Sequence, residues 1–106
     1  PRAYGSFARV LGPYVRRGIL SLEEAVRRMT GLAAENLRLP DRGVIRVGAW
    51  ADLAIFDPAT VTDHATYSDP HRYATGVRHV LVNGAIALRD GEPTGRLSGR
   101  ALRRAR

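Results

Sequence analysis

Three histidines, His64, His71 and His79, are the first residues whose chemistry invites a reading. They form neither H-x-H nor H-E-x-x-H, the spacings that bring two imidazoles onto one metal ion. The chain has no cysteine, so thiolate nucleophiles, thiolate metal ligands and disulfides are excluded together. His64 and His71 share a stretch with Asp63 and Asp69. Such a set can act as a metal or acid–base cluster, or it can make local turns and meet solvent. His79 falls in a run that reads as a strand, where a half-buried structural imidazole is expected. Ser6, Ser21, Ser68 and Ser98 occupy no G-x-S-x-G elbow. Glu23 and Glu24 are adjacent and diverge around a helix, so they are not a catalytic pair. Gly43, Gly48 and Gly84 are turn residues, and none builds a phosphate loop. No catalytic residue and no metal site is assigned within these residues.

Charge offers a second reading. The formal net charge is +7, and every one of the 17 basic residues is arginine. Arg96, Arg100, Arg103, Arg104 and Arg106 crowd the last residues, which show no apolar periodicity. The excess fits a free-standing basic module on nucleic acid, whose binding would fall steeply with salt. A compositional bias toward arginine, alanine and glycine accounts for it better, since lysine is absent. The aromatics argue against a stacking platform, which needs several rings on one sheet face. Tyr4, Phe7 and Tyr14 sit in the helical half, Tyr67 and Tyr73 in a loop, and only Phe56 on a strand. Trp50 reads as a packing residue. No apolar run approaches the length that spans a bilayer, and no leader pattern opens the chain, so a cytoplasmic location and no membrane partner are expected.

These residues need elements to position them. Phe7, Val10, Leu11, Tyr14 and Val15 recur with helical spacing, with a kink or break expected near Gly12–Pro13 and Gly18 as a stop. Ser21 and Glu24 have the spacing of a capping box, Leu22, Ala25, Val26 and Met29 continue the face, and Gly31 closes that helix. A short third helix is expected over Leu32–Leu37. From Asp41 the pattern is β. Val44–Val47 reads as a short extended piece, Ala51–Asp57 as a strand, and residues 59–76 as a long loop with no clear period. Val77–Val82 and Ala85–Leu88 flank Asn83-Gly84, a type I′ hairpin signal, and Asp90-Gly91 makes a second turn. The division is 1–40 helical, 41–95 β-rich with the hairpin at 77–88, and 96–106 an arginine-rich tail. The fold class is α+β, with a small antiparallel β-sheet whose apolar faces ask for further cover.

Gly43–Asp57, His79–Gly84 and Asp90-Gly91 resemble the C-terminal end of the amidohydrolase superfamily. There a "G-x-I-x-x-G-x-x-A-D-L-x-x-x-D" run and a "V-x-V-N-G" hairpin complete a small β-sandwich beside a metal-bearing barrel. The opening Pro1-Arg2-Ala3-Tyr4-Gly5-Ser6-Phe7 is similar to the H-P-R-x-Y-G-x-F segment of N-acyl-D-amino-acid deacylases, which precedes a helix. Ser21–Thr30, Asp69–Tyr73 and the last glycines and arginines fit the same family.

The resemblance implies that the helices are the last of a TIM-barrel-type domain and that the sheet completes a β-sandwich. It implies hydrolysis of N-acyl-D-amino acids to a carboxylate and a D-amino acid. In that chemistry zinc activates water and an aspartate serves as general base. The metal ligands and that aspartate belong to upstream segments, so the fragment is structural, inactive alone and without zinc of its own. Its implied partners are the N-terminal strands and barrel of the parent enzyme, or a second copy of itself. The loop at 59–76 is expected to pack on that barrel or those strands. Arg2 alone is carried over, as a guanidinium near the barrel mouth for the substrate carboxylate or as a brace for the loop.

Overall fold

A computed structural model describes residues 2–104; Pro1 of the opening motif, Ala105 and Arg106 of the arginine tail lie outside the described residues. The helical half holds α1 (Arg2–Arg9), α2 (Leu22–Met29) and α3 (Gly31–Leu37). The β half holds β1 (Leu53–Phe56), β2 (Val77–Val82), β3 (Ala85–Arg89) and β4 (Glu92–Pro93). The four strands form one antiparallel meander in chain order.

Proline handling shapes the first helix. Pro13 has no N–H to give the carbonyl of Arg9, and α1 answers with a π-helical turn over Val10–Tyr14 rather than a break. The helix closes where expected: the N–H of Gly18 reaches the Val15 carbonyl and that of Ile19 reaches Tyr14, a Schellman pattern with Gly18 at φ 75°.

The inner face of α1 is not the one its large apolar residues draw. Gly5, Ala8 and Gly12 are the buried positions, whereas Phe7 is 72% exposed. The small residues seat the helix on residues 61–65 of the long loop, where Val61 and Ala65 are buried. The first part of the loop expected to pack on the barrel or on N-terminal strands thus packs on α1, within this chain. Phe7, Val10 and Tyr14 turn instead toward Leu20, Ala25 and Met29 along an open apolar groove.

Ser21 caps α2 by accepting the N–H of Glu24 at 3.1 Å. The reciprocal half of the capping box is absent, because the Glu24 carboxylate turns to Arg27 at 2.9 Å and Arg28 at 2.8 Å. Hydrogen bonds from those two guanidiniums lower the Glu24 pKa from 4.5 to about 2. A depressed carboxylate pKa stabilises the fold above the unfolded value, and that stabilisation is lost as pH falls toward the folded one. The Glu24 carboxyl resonance is expected to titrate near pH 2, and α2 to lose this support between about pH 4.5 and 2. A midpoint near 4.5 in the NMR titration would show that neither charge-assisted bond holds in solution.

Gly31 does not end α2, as expected, but opens α3; Thr30 takes the junction with φ −122° and ψ −87°. Val44–Val47 is likewise not extended structure in a sheet. Positive φ at Asp41, Gly43 and Gly48 cuts the segment into turns, and Ile45 and Val47 stand 91% and 101% exposed. The strand expected over Ala51–Asp57 is shorter, Leu53–Phe56, with a register shift between Ile55 and Phe56. The hairpin is as expected, with Asn83 at φ 50° and Gly84 at φ 81° between Val82 and Ala85. Asp90-Gly91 repeats that geometry and returns the chain as β4, a strand the sequence did not announce.

The tail is not free. Asn83 donates its side-chain amide to the Ser98 carbonyl at 2.7 Å, and the Ser98 hydroxyl donates to Val82 at 2.7 Å. Arg100 lies 4.6 Å from the centre of the Trp50 ring, and Arg42 lies 5.0 Å from it. Trp50 thus packs against cations, which its ring attracts electrostatically.

Candidate functional site

Arginines recur every seven residues along the first helical segment, at Arg2, Arg9 and Arg16. Seven residues of α-helix advance about 10 Å and return to within about 20° of the same face. By this spacing Arg2 and Arg9 share a face of α1, and Arg16, beyond the π-helical turn, also reaches the loop that α1 rests on. Arg16 donates to the carbonyls of Pro58 at 3.1 Å and Val61 at 2.9 Å. Arg9 donates its Nε to Asp63 Oδ2 at 2.8 Å, with its Nη2 2.6 Å from the same oxygen. Hydrogen bonding and charge from Asp63 raise the Arg9 pKa above its ordinary value. The Asp63 side chain is 6% exposed, so this carboxylate is spent on Arg9 inside the fold.

Arg2 completes the row at the start of α1. It is exposed, and it has no ion pair with an acid among the described residues. With Arg9, Asp63, Thr66 and Tyr67 it lines one cleft between α1 and the loop. One cation of this cleft is compensated and the other is not. That asymmetry suits an anion with a planar, two-oxygen head, for which guanidinium is the matching donor.

The histidines stay apart. His64 Nε2 meets the Thr75 hydroxyl at 2.8 Å, and His71 lies against the Tyr4 ring at 5.4 Å. His79 accepts the Asp90 N–H on Nδ1 at 3.1 Å, which places its proton on Nε2, toward the Asp90 carboxylate. Asp69 makes a local turn with Thr66 and sits 3.8 Å from Arg72. No three acidic or imidazole side chains converge on a point among the described residues. Of the acids and histidines that the loop pattern singles out, Asp63, His64, Asp69 and His71, only Asp63 reaches the cleft. Sequence reasoning missed Arg9 and Arg16, although they continue a seven-residue repeat that starts at Arg2; their loop partners lie more than forty residues away.

The fold, the hairpin pattern and the cleft are those of an amidohydrolase type of segment, and the comparison with known families agrees. The chain belongs to the amidohydrolase family, whose pattern matches residues 9–88. It is 50% identical over 105 residues to N-acyl-D-glutamate deacylase of Alcaligenes xylosoxydans xylosoxydans, covering 98% of this chain and 21% of that protein. It superposes on the crystal structure of D-aminoacylase, described as defining a novel subset of amidohydrolases, with a TM-score of 0.94 at 48% identity, over 98% of this chain and 22% of that one. N-acyl-D-glutamate deacylase from Bordetella bronchiseptica, in complex with zinc and a phosphonate mimic of the tetrahedral intermediate, matches with a TM-score of 0.80 at 49% identity, over 88% of this chain and 21% of that one. The chain thus spans about a fifth of the length of the relatives it matches. Among the described residues no helix is long and apolar enough to cross a membrane.

Proposed function

We propose that these residues are the closing segment of a zinc-dependent N-acyl-D-amino-acid deacylase. In this reading they serve as scaffold and place one substrate-binding group, Arg2. The observation that carries it is 48–50% identity with such deacylases across nearly the whole chain, on one fold. The substrate is an N-acyl-D-amino acid, and water cleaves its amide C–N bond to give a carboxylate and a D-amino acid.

Among the described residues no three His, Asp or Glu side chains come together; in this reading the metal belongs to the rest of the parent enzyme. Arg2 receives the substrate α-carboxylate through paired N–H···O bonds. Among the described residues of the cleft the one acid, Asp63, is already held by Arg9. The α-helices are the last of a barrel-type domain, and the sheet belongs to a β-sandwich. Support for a covering partner comes from the core. Four of the five buried apolar residues are alanine, while Phe7, Ile45, Val47 and Leu97 are largely exposed. Apolar surface of that kind is normally covered.

The test is hydrolysis by the complete enzyme that carries these residues. N-acetyl-D-glutamate or N-acetyl-D-methionine is expected to be cleaved, and the L-enantiomers are expected to be left intact. Chelation should abolish turnover and added zinc restore it. Equal cleavage of both enantiomers, or turnover that survives complete metal removal, would overturn the reading.

A further inference from the structure

Arg9 and Asp63 form the one ion pair among the described residues that line the α1–loop cleft. Its two members are unequal. Arg9 is 48% exposed and open to solvent or ligand, whereas Asp63 is 6% exposed and is the one acid among the described residues lining the cleft. An unpaired carboxylate in that place would be the nearest anion competing for any guanidinium in the cleft. It would also repel any anion brought to Arg2. Gly5 packs so close to Asp63 that a methyl on its Cα would lie 2.8 Å from Asp63 Cβ, so the carboxylate is held in place by the helix it sits under.

We propose that the Arg9–Asp63 pair determines specificity for an anionic substrate head. By neutralising Asp63, Arg9 leaves Arg2 as the single uncompensated cation among the described lining residues. The pair touches no reacting atom and acts through the charge balance around Arg2. This gives the 59–76 loop a role: it supplies the acid that divides two arginines of one helix face into a structural one and a substrate-facing one. The inference rests on the reading of Arg2 as the carboxylate-binding group.

Bracing and charge division predict opposite signs, which makes the pair testable in the complete enzyme. The substrates are an N-acetyl-D-amino acid and its uncharged α-carboxamide. Arg9→Met exposes the Asp63 charge and is expected to raise KM for the carboxylate substrate about tenfold, with kcat changed about twofold at most. The carboxamide KM should not follow. Asp63→Asn keeps the shape, frees Arg9, and is expected to lower the carboxylate KM about threefold. The double variant should return to within about threefold of the parent.

If Asp63→Asn raises KM or lowers kcat on both substrates alike, the pair merely braces the fold and the proposal fails. Asp63→Asn also stands in should Arg9→Met not fold. The two readings separate through Arg2→Met. If that variant leaves the carboxylate KM unchanged, the Arg2 assignment itself is wrong. If it raises KM while Arg9→Met and Asp63→Asn do not act with opposite signs, the charge division alone is wrong.

Discussion

Gly12→Ala is expected to dislodge the first helix from the loop beneath it. A methyl at this position would overlap the carbonyl oxygen of Val61 and crowd its carbon. The obstacle is backbone, so no side-chain rotation relieves it. The same carbonyl accepts from Arg16 at 2.9 Å, and Val61 is wholly buried, so moving the loop breaks both the clamp and the small core around it. Overpacking of this kind costs about 3 kcal/mol, the upper part of the usual range. The readout is local hydrogen exchange in the complete enzyme. The amides of Val61, Thr62 and Thr75, bonded to Asp57, Thr75 and Thr62, should exchange on the order of 100-fold faster. Gly99→Ala is the control: nothing lies within 4 Å of the added methyl, and protection should stay unchanged. Unaltered protection in Gly12→Ala would mean that the helix does not rest on the loop as described.

That contact also marks the boundary of what the sequence discloses. Turn chemistry was legible because it is local: Asn83-Gly84 demands positive φ at both positions, and Ser21 sits where a cap must. The α+β class and the hairpin followed from such signals. The buried face of α1 was not legible. Gly5, Ala8 and Gly12 carry little hydrophobicity, so a face built for close approach leaves no apolar period, while Phe7 and Val10 leave a strong one. Val44–Val47 failed for the converse reason. Its β propensity is high, yet the chain reversals at Asp41, Gly43 and Gly48 override it. In the candidate site, Arg2 was found through its motif, and Asp63 was noticed in the wrong company. Its partner is a helix residue 54 positions earlier, and no spacing rule connects them. The bonds that fix the loop and the tail, from Arg9, Arg16, Asn83 and Ser98, are likewise long-range and leave no local spacing signal.

Arg2→Met carries the largest expected effect on function. Methionine keeps much of the length of the side chain and removes every donor, so the loss measures hydrogen bonding and charge rather than packing. Bonds from a charged donor are worth about 1.5–3 kcal/mol each, which for a bidentate contact corresponds to a drop in kcat/KM of about 100-fold. Arg2→Lys should recover only part of it, because an ammonium cannot form the two parallel bonds. The helix itself should be undisturbed, since Arg2 has no ion pair among the described residues and contributes to α1 only its backbone carbonyl, which accepts from Ser6 at 3.0 Å.

The decisive measurement is therefore kcat/KM of the complete enzyme and its Arg2→Met variant on an N-acetyl-D-amino acid and on the matching α-carboxamide. A carboxylate-binding Arg2 predicts a loss of about 100-fold on the carboxylate and about threefold or less on the carboxamide, so that discrimination between the two collapses. Equal losses on both substrates, or none on either, would contradict that role.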